Sequence, residues 1–277
     1  MYGFVDCFES NAPVDLVCFL GNQPIFTPQI LAYMTIEITI PVLNEEATLA
    51  RQVTILRQYL LDQFSLSANW KIVIADNGST DQTGTIGKTL AEEWPEVAFV
   101  QVPKRGVGLA LKTSWGQSNA DIVGYMDLDL ATDLQHFQPA IEALVNQNFD
   151  IVYGTRLHSQ SKVIGRSLKR EITSRIFNHL LQVYLGVGFS DGMCGFKFLK
   201  RKKLNALMEA GAQNDGWFFS TELLTVGEWL GLKLYELPVV WTDDVSSSRV
   251  EILPLAKRYL ASMRALKQRK NKIRQHG

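Results

Sequence analysis

Ile122-Val123-Gly124-Tyr125-Met126-Asp127-Leu128-Asp129-Leu130 sets an apolar run directly against two carboxylates. The run reads as a buried strand, and the acidic residues as the loop at its C-terminal end. In extended backbone, positions i and i+2 point to the same side, so Asp127 and Asp129 are expected to face one ligand together. Two convergent carboxylates repel each other unless a cation lies between them. Mg²⁺ and Mn²⁺ take oxygen ligands, commonly one or two carboxylates plus substrate phosphates, which makes a nucleoside diphosphate the natural third party. An Asp-rich surface loop would carry the same letters, so the surrounding chain has to decide.

Upstream, Thr35-Ile36-Glu37-Ile38-Thr39-Ile40-Pro41 alternates with period two, and Met34 before it is expected to be a natural start. Leu49, Val53, Leu56 and Leu60 recur at helical spacing and predict a helix over 45–63, with Asn44 as its N-cap. A second strand over 71–75 ends in Asp76-Asn77-Gly78-Ser79-Thr80-Asp81, a turn-rich loop before a helix through Trp94. A strand over 97–102, a helix over 106–118 and a fourth strand over 121–126 follow. This alternation predicts an α/β fold whose mainly parallel sheet has helices on both faces. Ligands bind such sheets at the carboxyl ends of the strands, and three of these ends carry polar loops, 41–46, 76–81 and 127–133.

The second half is less regular. It predicts strands over 150–155, 196–199 and 233–241 and helices over 166–185 and 217–230. No repeat or low-complexity linker divides it, so one domain is expected over 34–253. Residues 1–33 show neither periodicity and have no assigned structure; 254–277 is expected to form a basic amphipathic helix.

Among 277 residues, 46% are hydrophobic and 20% charged, which excludes wholesale disorder. Lys and Arg balance Asp and Glu at 28 each, so no global field favours nucleic acid. The tail breaks that balance, carrying Lys257, Arg258, Arg264, Lys267, Arg269, Lys270, Lys272 and Arg274 with no acidic residue among them. Cys7, Cys18 and Cys194 form neither a paired framework nor a metal spacing, which suits a reducing intracellular compartment. The four histidines are scattered, and no apolar run approaches the length of a membrane span. No basic region precedes the early apolar runs, which argues against a signal peptide. Gly106-Val107-Gly108 lacks the third glycine of a dinucleotide fingerprint and follows the third strand, so that reading is dismissed.

Taken in order, several segments resemble the family 2 glycosyltransferases of GT-A fold, and within them the dolichyl- or polyprenyl-phosphate sugar synthases. They are Ile40-Pro41-Val42-Leu43-Asn44-Glu45-Glu46, Ala75 to Asp81, Arg105-Gly106-Val107-Gly108, Asp127-Leu128-Asp129-Leu130-Ala131-Thr132, Gly154-Thr155-Arg156, Ser174-Arg175-Ile176-Phe177-Asn178, Cys194-Gly195-Phe196-Lys197 and Trp217 to Leu224. The match covers about 35–253. The Asp-x-Asp-Leu-Ala-Thr form looks more like the glucosyl-transferring branch than the mannosyl one, which favours UDP-glucose over GDP-mannose as donor.

The resemblance implies a Rossmann-like GT-A domain and a Mg²⁺ or Mn²⁺ ion held by Asp129, with Asp127 near the ribose or a metal water. It implies a nucleotide-sugar pocket lined by Pro41, Asn44, Glu45, Asp76, Gly78, Ser79, Arg105 and Gly106, with Arg249 near the diphosphate. Arg105 and the glycines after it are expected to let backbone approach the ligand. Arg156, Arg170 and Ser174 fall at the acceptor phosphate, beside further cations at Arg166, Lys169 and Arg175. A sugar hydroxyl as acceptor would need a carboxylate base, for which Asp191 and Glu222 are the candidates. A polyprenyl phosphate would not, being largely dianionic at neutral pH. Ser220 stands where glucosyl-type relatives commonly have Asp, Met193 replaces a common Gln, and Val107 a common basic residue. Leu255, Tyr259, Met263 and Leu266 share one side of the C-terminal helix, which is expected to lie on an anionic membrane surface, peripherally and on the cytoplasmic side. Transfer to a glycan hydroxyl, or a catalytically silent scaffold, are the alternatives.

Overall fold

The computed structural model describes residues 6–9, 16–20, 23–25, 34–64, 69–243 and 252–276. Within the N-terminal stretch, β1 (Asp6–Glu9), β2 (Leu16–Leu20) and β3 (Gln23–Ile25) pair antiparallel in that order. Short runs such as Leu16-Val17-Cys18-Phe19-Leu20 are too brief to show a period, yet Val, Phe and Leu suit a pleated surface.

The main sheet begins with β4 (Thr35–Val42), which leads through α1 (Leu49–Phe64) to β5 (Asn69–Asp76), then α2 (Thr83–Glu93), β6 (Val97–Gln101), α3 (Val107–Gln117) and β7 (Ile122–Met126). Beyond β7 lie α4 (Phe137–Val145), β8 (Ile151–Thr155), β9 (Lys162–Ile164), α5 (Leu168–Leu185), β10 (Phe196–Lys200), α6 (Leu204–Glu209) and α7 (Phe219–Trp229). β11 (Leu234–Pro238), β12 (Val240–Thr242) and α8 (Ile252–His276) complete the chain. Seven strands pair in the order β11-β8-β10-β7-β4-β5-β6, all parallel to their neighbours except β10, which runs antiparallel between β8 and β7. β7 is thus the fourth strand of this sheet along the chain, as expected.

Period-two alternation feeds two cores, one on each face. Along β7, Ile122 and Met126 join Ile36, Ile38, Ile40 and Val42 beneath α1 and α4, while Val123 and Tyr125 join Trp115 and Phe219 beneath α3 and α7. Gly124 lies opposite Phe198 on β10, and a Cβ there would meet the ring at 2.0 Å, so only glycine lets the aromatic cross the sheet.

Several boundaries correct the sequence reading. Asn44 does not cap α1, which starts at Leu49; its backbone takes the left-handed conformation at φ 56°, and its side chain turns to the neighbouring loop. The single strand expected over 233–241 divides at Pro238, and β12 leaves β8 to pair with β9. α8 does not present its apolar side outward: Tyr259, Met263 and Leu266 are buried, with Tyr259 packed on Phe177 and Phe218 at ring distances of 5.2 and 5.4 Å. These three of the four residues that suggested a membrane face are core, while the side chain of Leu255 lies outside the described residues. Among the described residues, no helix is long and apolar enough to cross a membrane.

Candidate active site

Chain direction places every relevant loop at one edge. β4, β5, β7, β8 and β11 all end there, and antiparallel β10 begins there, so 191–195 enters beside the Asp127 loop. β4 continues to β5 on one side and pairs with β7 on the other, which is a topological switch point and opens a crevice.

Asp127 and Asp129 come together in that crevice through a turn, rather than through the strand alternation the sequence suggested. The Leu130 N–H donates to the Asp127 carbonyl at 3.2 Å, Leu130 adopts φ 53°, and Asp129 Oδ1 accepts from the Ala131 N–H at 3.0 Å. A non-glycine residue in the left-handed region is held there by its surroundings. Here Ala131 and Asp133 are pinned to the β12 edge, Thr242 N–H to Ala131 O at 2.8 Å and Asp133 N–H to Val240 O at 3.0 Å. Asp127 itself packs on Gly195, whose hypothetical Cβ would lie 1.9 Å from Asp127 Oδ2. Met126, Ala131, Thr132 and Trp241 complete the cleft.

Electrostatics here call for a cation. Asp127 Oδ1 is sealed from solvent without a hydrogen-bond partner, and burial, followed by the charge of Asp129, pushes its carboxyl up to about 7. The described residues hold no group of three or more His, Cys, Asp or Glu that could bind a metal alone. Two carboxylates completed by phosphate oxygens are the donor set Mg²⁺ and Mn²⁺ commonly take, so the residues present fit such an ion.

The expected nucleotide pocket is the stitched pair of loops after β4 and β5. Asn44 N–H donates to Ser79 Oγ at 3.0 Å, Asn44 Oδ1 accepts from Thr80 N–H at 2.8 Å, and Glu45 N–H donates to Thr83 Oγ1 at 2.7 Å. Asp76 is fully buried; its Oδ1 accepts from Ser79 N–H at 2.9 Å, so its visible work is to shape the turn through Gly78, which sits at φ 86°. Pro41 is half-buried at the end of β4, and Arg105 is exposed. Gly106 and Gly108 do allow a close approach, but to the protein itself. Cβ atoms there would lie 2.4 Å from Asp215 O and 2.2 Å from Asn214 O. Arg249 lies outside the described residues.

Across the cleft, Asp191 is fully buried and grips Arg156 with both oxygens, at 2.8 Å to Nε and 3.0 Å to Nη2. Burial alone would raise its carboxyl, but the Arg156 guanidinium overrides that and holds it at about 2. With both oxygens bonded to Arg156, Asp191 holds that guanidinium in place. Arg156 and Arg166 both lie against the Trp241 ring, 5.3 and 5.7 Å from its centroid, and Arg166 also donates to Ser174 and pairs with Glu171. Arg170 pairs with Asp243. The structure therefore unites Arg156, Arg170 and Ser174 with Arg166. Trp241 was missed by sequence reasoning, although an aromatic residue just past the C-terminal edge of β11 was the available signal.

Lys197 was quoted only within a motif. It is fully buried, donates to Cys194 O at 2.6 Å and Gly192 O at 3.2 Å, and burial lowers its ammonium to about 8. It fixes the 192–195 loop against which Asp127 packs. Glu222, by contrast, is committed to the 213–214 backbone and to α8. Its Oε2 accepts from the Gln213 and Asn214 N–H groups at 2.7 and 2.6 Å, and its Oε1 pairs with Arg269 of α8. Burial raises its carboxyl, and these bonds draw it back. Glu222→Gln should therefore lower stability by about 1–3 kcal/mol in denaturant titration, with kcat within a few-fold of wild type. A collapse of kcat without loss of stability would return Glu222 to the chemistry.

A model of the family described as "Glycosyl transferase family 2" matches residues 37–208. Curated relatives include the glycosyltransferase AglD of Haloferax volcanii, 29% identical over 80% of this chain, and the dolichyl-phosphate beta-glucosyltransferase ALG5A of Trichomonas vaginalis, 30% identical over 86%. The chain spans 35% of the length of AglD and 75% of that of ALG5A. Among solved structures, glucosyl-3-phosphoglycerate synthase of Mycobacterium tuberculosis, in complex with Mn²⁺, UDP and glucosyl-3-phosphoglycerate, superposes with a TM-score of 0.60 at 20% identity, covering 89% of this chain and 86% of that one. The sheet order, the paired carboxylates after its fourth strand and these likenesses together make the chain a member of glycosyl transferase family 2, with the GT-A fold.

Proposed function

We propose that the chain transfers a hexose, glucose before mannose, from a nucleoside diphosphate sugar to a polyprenyl or dolichyl phosphate with inversion at the anomeric carbon. The observation that carries this reading is the state of the two candidate bases. Asp191 is locked to Arg156 and Glu222 to backbone N–H groups and Arg269, while Arg166 donates to Ser174 and shares the Trp241 ring with Arg156, and Arg170 pairs with Asp243. A hydroxyl acceptor needs a base. A phosphate monoester, with a second pKa near ~6, needs cations that hold it.

In this mechanism Arg156 and Arg166, with Arg170 once it exchanges Asp243 for the ligand, orient the acceptor phosphate toward the anomeric carbon. A phosphate oxygen forms the new bond to that carbon as the bond to the donor's β-phosphate oxygen breaks, and that oxygen keeps the electron pair. No proton has to move. Asp127 and Asp129 would hold a divalent ion, which would supply the charge neutralisation that the leaving diphosphate requires. The loops 43–48 and 77–82 would seat the nucleoside. Glucose as the sugar and a dolichyl phosphate as acceptor are supported by the name of ALG5A, and UDP-glucose with Mn²⁺ or Mg²⁺ by the glucosyl-3-phosphoglycerate synthase structures solved with UDP-glucose and Mn²⁺ or with UDP and Mg²⁺. Because such an acceptor resides in a bilayer, the chain would work peripherally at an anionic membrane surface on the cytoplasmic side.

The test offers labelled UDP-glucose and GDP-mannose separately, with Mn²⁺ or Mg²⁺ and a short polyprenyl phosphate, and reads label extracted into organic solvent. Label from UDP-glucose, abolished by chelator, is the expected result. Metal-dependent nucleotide release only with glycan acceptors would replace the phosphate reading by hydroxyl transfer. No turnover and no nucleotide binding would leave a scaffold.

A further inference from the structure

Each guanidinium on the acceptor side of the cleft already carries a carboxylate. Asp191 holds Arg156, Glu171 holds Arg166 and Asp243 holds Arg170. A phosphate must displace one of these carboxylates before it meets a full positive charge. The three are tied down to different degrees. Asp191 is fully buried, gives both oxygens to Arg156, and also accepts from the backbone N–H groups of Met193 and Arg156 at 3.1 and 3.2 Å. Glu171 bridges Arg166 and Arg175, the latter one turn along its own helix. Among the described residues, the Asp243 carboxylate has Arg170 as its one partner. The Arg170 side chain is 38% exposed, against 12% for Arg156 and 6% for Arg166, so this pair is the one open to exchange.

Backbone puts Asp243 where it stands. Its N–H donates to Ile164 O at the end of β9 at 2.8 Å, and Gly165, at φ 78°, lets the chain pass so close that a Cβ there would lie 3.2 Å from Asp243 O. The carboxylate is thereby fixed beside the first turn of α5, and the long Arg170 side chain is the half of the pair able to swing. Trp241, two residues before Asp243, carries the other two guanidiniums on its ring, so one short strand touches all three cations.

We propose that Asp243 is an internal competitor for the acceptor phosphate: it holds Arg170 until a dianionic phosphate monoester displaces it, and reclaims Arg170 from the product. This rests on the lipid-phosphate reading proposed above. A monoester brings roughly two negative charges at neutral pH, so exchanging a carboxylate for it strengthens the attraction on Arg170. Sugar transfer turns that monoester into a diester with a single charge. Against a ligand of equal charge the advantage passes to Asp243, which is tethered to the site and acts at a high effective concentration. Asp243 thus weakens the hold on every anion, the spent product included, and speeds product departure. Asp191 has the opposite task, since its guanidinium is oriented and never released.

The experiment compares wild type, Asp243→Asn, Arg170→Gln and Asp243→Asn/Arg170→Gln. It reads KM for a water-soluble short-chain polyprenyl phosphate, inhibition by the matching glycosyl phosphodiester and, without turnover, the affinity for inorganic phosphate from the shift in melting temperature. Expected for Asp243→Asn is a gain of at least ~fivefold in all three, a lower KM, a lower inhibition constant and tighter phosphate, with the gain absent once Arg170 is also replaced. Loss of a merely structural contact would move these quantities the other way. A raised KM and weaker phosphate in Asp243→Asn would make Asp243 a strut for Arg170 and overturn the proposal. An unchanged set of values, or a gain that persists in the double variant, would overturn it as well. Should Asp243→Asn fail to fold, Asp243→Ser is read in the same way. If phosphate binding tightens through Arg170 while no variant transfers sugar to a lipid phosphate, the competitor stands and the acceptor reading falls. Transfer by wild type with no gain in Asp243→Asn gives the reverse.

Discussion

Asp127→Asn should leave the chain folded and reduce sugar transfer by on the order of three powers of ten in kcat, with Asp129→Ala similar. Both carboxylates line the cleft where, in the proposed reaction, charge would develop on the leaving diphosphate, and an amide cannot replace a negative oxygen as a ligand to a divalent ion. The two variants separate in stability. Without metal, Asp127 carries its proton up to about 7, because burial and then Asp129 oppose its ionisation. A carboxyl whose folded pKa exceeds its unfolded value holds more protons in the native state between the two values. Stability then falls as pH rises from about 4 to about 7. Metal-free wild type should therefore melt lower at pH 7.5 than at pH 5 in chelator, and Asp127→Asn should flatten that slope while still failing to turn over. Exposed Asp129 should change the slope less. Near-normal turnover in Asp127→Asn, or a melting temperature that climbs across this window in the wild type, would remove Asp127 from the role given to it.

How far the sequence disclosed this arrangement depends on whether a feature is periodic or made in three dimensions. β4 through β7 were legible because Ile36, Ile38 and Ile40 alternate with Glu37 and Thr39 and because loop-forming residues follow each strand. The convergence of Asp127 and Asp129 was legible for the wrong local reason. Strand alternation suggested it, whereas a turn with Leu130 in the left-handed region produces it. Asn44 has the side chain of a cap and uses it on Thr80, a partner 36 residues away that local spacing cannot reveal. The same limit applies to Glu222 and Asp191. A carboxylate in a motif reads as a base until its partners are seen, and those partners, Arg269 and Arg156, lie 47 and 35 residues away. The two amphipathic helices are the sharpest case. α5 and α8 each show an apolar stripe, and only packing decides that Tyr259, Met263 and Leu266 go inward while Ile172, Ile176 and Val183 remain outside.

Arg156→Leu carries the second large effect, and it separates binding from structure. Asp191 would be left buried, its two principal bonds gone, and losing one partner of a buried ion pair typically costs about 3–5 kcal/mol. At this chain length that corresponds to roughly 10 °C in melting temperature. The pH dependence should change sign as well. In the wild type Asp191 is held at about 2, below its unfolded value near 4. It therefore contributes about 2 kcal/mol that is complete above pH 4 and lost as pH falls through about 2. Without the guanidinium, burial is the dominant influence, the carboxyl rises above its unfolded value, and stability should decline as pH rises above about 4. Arg156→Leu/Asp191→Leu removes the orphaned charge and should recover most of the lost stability, because a buried pair replaced by apolar side chains is often neutral. It should not recover the acceptor: KM for the lipid phosphate should stay at least ~tenfold above wild type, since the fork that Asp191 holds against Trp241 is gone. Recovery of both would make the pair a packing element alone. Recovery of stability without acceptor affinity would identify Asp191 as the residue that keeps Arg156 aimed at the phosphate.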